Sequence, residues 1–376
     1  MKKWLSYILM AGCLASCIYP YDIDLEETDE GEKVLVVDGE IVLGGTSTVR
    51  LGYMNPLSKS HPQFDLPDGK VWIEDNTGER FDCVGAQSGN YFTIPTENYS
   101  YDRTYRAVIE VDGNTYTSDW QKPVPAPEFE NIYFEADDDF VTAYVDLDTS
   151  GDAGTGYLSF SYEETWRFHA DFNDDFIVNT ETWAVSTRFM SITDWCWRSY
   201  RTTRRILLDY TNLQGRKVKK YPVISFSRYN NRNHKRYSAN IMVSSLSKEN
   251  YLYNKQSADQ LHSGGDLFSP DPGALQGNLI CETDPSRMVL GLVVICEVKS
   301  RRVYLDSRYL KHRNPNTSDL VPIGVEEYPF YYYQLNYRPV TYLIVDDQPV
   351  LHWGPLRCID CVADGGTKER PDFWED

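Results

Sequence analysis

The sequence predicts a mainly all-β protein: an N-terminal immunoglobulin-like or transthyretin-like β-sandwich, then a larger strand-rich domain with about one helix. Three observations carry that prediction. Apolar and polar residues alternate with period two along many short segments. Tight-turn signals separate those segments. Aromatic residues make up 14% of the chain, with 28 tyrosines, which suits pleated, half-buried strands.

The elements follow in order. "KVLVVDGEIV" is an apolar, β-branched run, and "KVWIEDNTGERFDCV" alternates around a turn at Asn76-Thr77-Gly78. In "TYRAVIEV", Tyr105, Ala107, Ile109 and Val111 share one strand face, and Thr104, Arg106, Val108 and Glu110 share the other. Asp112-Gly113 then marks a hairpin into "NTYTSDW". "KPVPAPEF", residues 122–129, has three prolines and reads as a linker. Beyond it, "NIYFEADDDFVTAYVDLD", "GYLSFSYEETWRFHADF", "RRILLDYTNL" and "KRYSANIMVSSL" continue the strands. "SLSKENYLYNKQSADQ" is the one expected helix, starting at Ser245 or Ser247, because serine accepts from the free N–H groups of a first turn. "SPDPGALQGN" reads as a loop, and "MVLGLVVICEV", residues 288–298, as a strand buried on both faces.

The first residues describe an address. Lys2 and Lys3 precede an apolar stretch from Trp4 to Leu14. As a helix it reaches roughly 16 Å, about half the bilayer's hydrocarbon core, which fits a signal peptide and not a membrane span. Leu14-Ala15-Ser16-Cys17 has the form of a bacterial lipobox, so Cys17 is the expected lipid attachment point. Two or more acyl chains anchor stably where one does not. Asp22, Asp24, Glu26, Glu27, Asp29, Glu30 and Glu32 follow, and such a run repels itself into an extended spacer. Acidic residues after a lipidated cysteine also resemble a surface-export signal, although here they begin later than is usual. The expected organisation is a signal peptide (1–16), a lipidated acidic tether (17–32), a β-sandwich domain (33–126), a second β-rich domain (127–350) and a C-terminal tail with a C-x-x-C motif (351–376).

Charge narrows the partners. The chain has 37 basic and 56 acidic residues, and loss of Lys2 and Lys3 with the leader takes the net charge from −19 to −21. That balance disfavours nucleic acid, whose phosphates require Lys and Arg. It gives no attraction to anionic lipid, so the lipid on Cys17 must supply the membrane attachment.

Motifs for chemistry are sparse. "DLDTSGD" places Asp146, Asp148, Ser150 and Gly151 like the first half of a calcium loop, but the twelfth position is Tyr157 where a bidentate Glu is needed. A polar turn is the plainer reading. "DFNDDF", residues 171–176, reads as an acidic loop tip. The six histidines lack metal-ligand spacing, and neither a G-x-S-x-G elbow nor a phosphate-cradling loop occurs. No catalytic residue, metal or cofactor is therefore expected. Cys358 and Cys361 have C-x-x-C spacing without a second such pair, so they are disulfide candidates, with each other or with another cysteine. Cys281 and Cys296 lie in apolar surroundings and read as buried thiols. "EYPFYYYQLNYRPVTYL" would, as a strand, turn Phe330 and Tyr332 one way and Tyr331 and Tyr333 the other. Core packing is the first reading of these four residues; an interaction surface for a sugar, peptide or protein is the second.

Several landmarks recur in a recognisable order: "KVLVVDGEIV", "YEETWRF", "CWRSYRTTRRILLDYTNL", "RYSANIMVSSLSKENYLYNKQ", "LFSPDPGALQGNL", "VLGLVVICEVKSRRVYLD" and "CIDCVADGGTKERPDFW". Together they resemble a family of Bacteroidota-type outer-membrane lipoproteins that carries a domain-of-unknown-function label, often encoded beside TonB-dependent transporters. The resemblance implies a cell-surface-exposed, lipid-anchored accessory or ligand-binding partner of such a transporter in nutrient uptake, and no catalytic mechanism. Two other functions compete: a surface hydrolase acting on polymer fragments, and a structural or adhesive surface protein.

Overall fold

A computed structural model of the chain describes residues 34–54, 68–86, 90–92, 99–149, 155–213, 217–230, 232, 235–263, 277–306, 309, 315–323 and 329–375. The leader, Cys17 and the acidic tether lie outside the described residues, as does most of the "SPDPGALQGN" segment.

In chain order the strands begin with β1 (Leu35–Val42), β2 (Thr48–Tyr53), β3 (Gly69–Asp75), β4 (Arg80–Asp82), β5 (Val84–Ala86), β6 (Asn90–Phe92), β7 (Tyr105–Val111) and β8 (Asn114–Ser118). Next come β9 (Glu128–Ala136), β10 (Phe140–Asp148), β11 (Tyr157–Phe168), β12 (Asp174–Val178), β13 (Val185–Ile192), β14 (Cys196–Arg201), β15 (Ile206–Asp209), β16 (Val218–Ser227) and β17 (Arg236–Ser245). Helix α1 (Lys248–Ser263) precedes β18 (Leu279–Cys281), β19 (Val289–Cys296), β20 (Val298–Tyr304) and β21 (Val321–Pro322). Helix α2 (Pro329–Gln334), β22 (Tyr337–Val345) and β23 (Gln348–Pro355) complete the series. The protein is mainly β, as its alternation requires.

The first sandwich packs sheet β19-β1-β2-β6-β5 against sheet β18-β8-β7-β3-β4. Inward residues of β1 and β2 (Leu35, Val37, Ile41, Val49, Leu51) meet Val71, Ile73, Tyr105, Ala107 and Ile109 of the opposing sheet in one buried core. Two of these strands come from far along the chain. β18 pairs with β8, and β19 runs parallel to β1 with Leu35 opposite Val289. A boundary at residue 126 therefore does not close the first domain: the expected 33–126 unit is completed by residues 279–296. Parallel pairing needs a long crossover, and nothing local in the sequence marks its partner. The apolar run of β19 is explained by two buried faces. Val293 and Ile295 enter the sandwich core, while Leu292, Val294 and Cys296 pack with Leu246 and Tyr251 at the start of α1. Gly291 adopts φ +120°, and a Cβ there would stand 1.8 Å from the Val37 carbonyl oxygen.

The second sandwich sets sheet β16-β10-β9 against sheet β14-β11-β17-β20, with β15 also on β11. Val141, Ala143, Val145 and Leu147 of β10 face Leu158, Phe160, Tyr237, Ile241 and Val243. The proline-rich linker is pinned at the join: Val124 bridges Cys296, and the Ala126 N–H donates to Glu297 Oε2 at 2.8 Å. Helix α1 begins after Ser247, whose Oγ accepts from the Asn250 N–H at 3.1 Å. No helix among the described residues is long and apolar enough to cross a membrane.

Sheet β21-β23-β22 crosses the expected boundary at residue 350, since β23 starts at Gln348 and hairpins with β22. Its two-residue turn, Asp346-Asp347, has φ 48° and 60°, the left-handed pair that matches strand twist. The remaining tail is fastened. Cys361 is disulfide-bonded to Cys196, not to Cys358, which is a buried free thiol. Thr367 bridges Trp197, and Trp374 is buried edge-on to Trp197 and Tyr304 on the outer face of β14-β11-β17-β20.

Candidate functional site

The run "PFYYYQ" forms α2, not a strand. Pro329 stands at the first helical position, where its fixed φ is already helical and its missing N–H costs nothing. The Leu335 N–H donates to the Tyr331 carbonyl at 3.2 Å, and Asn336, at φ 64°, ends the turn in the left-handed conformation. Helical spacing re-sorts the aromatics. Phe330 and Tyr333 share a face against Trp183, with ring centroids 5.2 and 5.8 Å away. Tyr331 and Leu335 share another and are 57% and 52% exposed. Tyr332 lies edge-on to Tyr337 at 5.8 Å. No residue of α2 is buried, so the core reading of Phe330, Tyr331, Tyr332 and Tyr333 is corrected. The Arg338 guanidinium stacks 3.7 Å from the Tyr333 ring centroid and donates to the Tyr333 and Tyr337 carbonyls, which stiffens the turn.

The β12–β13 hairpin leans on this helix. Its turn is held by Asn179, whose Oδ1 accepts from the Glu181 and Thr182 N–H groups, and it presents Trp183 at φ 60°. Phe176 packs edge-on to Tyr342 of β22 at 5.8 Å. Between the pairs Asp174↔Ile192 and Phe176↔Thr187 the register shifts, so β13 bulges outward. Phe189 in that bulge is fully exposed, and Met190 is 73% exposed. Arg188 is paired with Asp174 at 2.8 Å. Ile177, Ile192, Tyr342 and Ile344 are exposed too. Hairpin, α2 and β22 thus make one apolar, aromatic lobe.

Beside the lobe lies a groove of about 420 Å³. Its lining includes Leu335, Tyr337 and Leu356 together with Asp319 and Arg357. The two charged groups pair at 2.8 Å, and the Asp319 hydrogen bond holds the Arg357 pKa above its usual value. A smaller pocket of about 130 Å³ shares that pair and adds His169, Asp171, Asn316, Asp364 and Cys358. Burial pushes the Cys358 thiol up to about 11, so it is no reactive nucleophile at neutral pH.

Other candidates resolve into ordinary partners. Asp146 Oδ1 accepts from the Lys220 N–H within a strand pair, and residues 150–154 of the calcium-like segment lie outside the described residues. In residues 171–176, Asp171 accepts from the Asn316 N–H, Asn173 from Thr193 and Asp174 from Arg188. Among the described residues no group of three or more His, Cys, Asp and Glu side chains could hold a metal ion. Cys281 and Cys296 are buried free thiols. Sequence reading missed Trp183, Phe189, Met190, Asp319 and Arg357. The pair Phe189-Met190 inside an otherwise polar "STRFMS" was the available signal.

The fold and site define an all-β protein of two joined sandwiches that bears an exposed aromatic lobe. The pattern of the family described as a domain of unknown function, DUF4249, matches residues 18–302, and the chain belongs to that family. The match ends within β20, before α2 and the sheet that carries the groove. A two fibronectin type-III domain segment from chicken tenascin is similar at 10% identity and a TM-score of 0.18, covering 56% of this chain and 91% of that one. At that score nothing about this chain follows from it. No curated protein matches.

Proposed function

We propose that this protein is a Bacteroidota-type outer-membrane lipoprotein, anchored through Cys17 and exposed at the cell surface, that serves a TonB-dependent transporter as an accessory or ligand-binding partner in nutrient uptake. The observation that carries the binding role is the lobe of Phe330, Tyr331, Phe189, Met190, Tyr342 and Ile344. Contiguous apolar surface with a polar rim marks an interaction site, and aromatic side chains supply most anchor residues of interfaces. The anchor rests on Leu14-Ala15-Ser16-Cys17, and the acidic residues that follow support outward export. A spacer of about fifteen residues reaches at most about 50 Å even when fully extended. Held that close, even a weak contact with a membrane partner is occupied, because the local concentration is high.

The test is affinity capture of the tagged protein from solubilised outer membranes, followed by mass spectrometry. Recovery of a TonB-dependent barrel, lost in a Phe330→Asp/Tyr331→Asp variant, is the expected result. Recovery of no outer-membrane partner, with turnover of a glycan or peptide by the purified protein, would replace this reading with the hydrolase.

A further inference from the structure

We infer that the groove beside Arg357 and Asp319 binds a neutral oligosaccharide; the inference rests on the ligand-binding role proposed above. The size is right, since about 420 Å³ falls in the range of small-ligand sites. The chemistry of the walls then selects the ligand. Leu335 and Tyr337 offer an apolar and aromatic surface, which suits the C–H face of a sugar ring. Leu335 also continues the exposed face of Tyr331 on α2, one helical turn away. Asp319 and Arg357 offer planar hydrogen-bonding groups, one accepting only and one donating only. A hydroxyl both donates and accepts, so a polyol satisfies both members of the pair at once.

Charged ligands fit worse. Asp171, Asp319 and Asp364 in the adjoining pocket oppose an anion. A cation gains little in return, because Asp319 is already paired with Arg357 at 2.8 Å and Asp364 with Arg198 at 3.1 Å. The smaller pocket adds Asn316, which both donates and accepts. Because the two pockets share Asp319 and Arg357, a ligand spanning them is longer than one ring. The site is also held in place. The Leu356 N–H donates to the Asn336 carbonyl at 2.8 Å, tying the turn that carries Arg357 to the end of α2. The disulfide at Cys361 fixes that turn from its other side. Such support is what a binding constellation needs.

The experiment is calorimetric titration of the full-length protein in detergent with neutral glucan, xylan and mannan hexasaccharides, an anionic oligogalacturonate and a lysine-rich peptide. Saturable binding of at least one neutral hexasaccharide is expected. Asp319→Ala and Arg357→Ala should each weaken it about tenfold or more. Both sit in a half-exposed surface pair, so thermal midpoints should stay unchanged, and Lys368→Ala, outside the groove, should leave binding intact. Tyr337→Phe should retain binding, because the ring face is kept. Absence of neutral-sugar binding, binding that survives Arg357→Ala, or preference for the charged probes overturns the inference. Capture of a transporter together with no sugar binding overturns only this inference and leaves the partner reading standing.

Discussion

Replacing Cys196 and Cys361 together by alanine cuts the covalent tie between β14 and the C-terminal segment. The two cysteines are 165 residues apart in sequence. Closing a ring of that length removes unfolded-state entropy worth about 5 kcal/mol at 25 °C. Non-covalent fastenings remain in the variant: the Thr367–Trp197 bridge, the Arg198–Asp364 and Lys368–Asp194 pairs, and buried Trp374. They keep the segment docked in the folded state, so the loss falls on the unfolded side. Native disulfides commonly yield less than the full entropic figure, and the expected destabilisation is about 3–5 kcal/mol. Guanidinium unfolding followed by tryptophan fluorescence reads it, with both proteins measured without reductant. Adding reductant to the wild type should reproduce the variant's midpoint. A loss below about 1 kcal/mol would refute the reasoning, since entropy alone predicts several times that. So would non-reducing peptide mapping that joins Cys358 to Cys361.

Three other perturbations test separate parts of the structure. Gly291→Ala forces a Cβ into the Val37 carbonyl at a positive φ, and should cost about 3 kcal/mol or more by thermal unfolding; an unchanged midpoint would mean β1 and β19 do not pair as described. Asp75 is buried and takes bonds from Thr77 and Glu79 N–H, Thr77 Oγ1 and Arg103. Its burial, which would raise the pKa, is outweighed by those bonds, so the folded value lies below the usual one. Stability from Asp75 is therefore present above the unfolded pKa near 4 and is lost as pH falls through the lower folded value. Asp75→Ala should cost about 2–3 kcal/mol at pH 7, with the gap to wild type narrowing below about pH 4; a gap constant to pH 2 would contradict this. Cys17→Ala should abolish acyl labelling and release the protein from membranes, and protease added to intact cells should degrade the wild type; retention of the variant, or protection of the wild type until lysis, would contradict the anchor or the outward face.

Local patterns were legible, and distant partners were not. The alternation of "TYRAVIEV" and the turn at Asp112-Gly113 appear as β7, a hairpin and β8. Of the two expected helix starts, Ser245 and Ser247, it is Ser247 that caps α1, and such a start is legible because capping is a local hydrogen bond. "MVLGLVVICEV" announced burial on both faces, but its partner β1 could not be read from it, since parallel pairing leaves no adjacent turn. The aromatic run went wrong for a definite reason. Period two and helical spacing cannot be separated in four consecutive aromatics, and Pro329 with Asn336 decided for a helix. The groove was invisible because Asp319, Leu335 and Arg357 converge only when β21, α2 and β23 fold together.

The pairing of β1 with β19 also sets a timetable. When β1 has left the ribosome, the strand that will cover its open edge still lies about 250 residues downstream. At 5–20 residues per second, that interval is roughly 10–50 s of synthesis. Throughout it, β1 offers an open row of N–H and C=O groups beside Val36 and Val37, a template for pairing with any passing chain. Contacts this distant in sequence form late and slowly. A fragment ending at the proline linker, left with that open edge, should therefore aggregate where the complete chain folds.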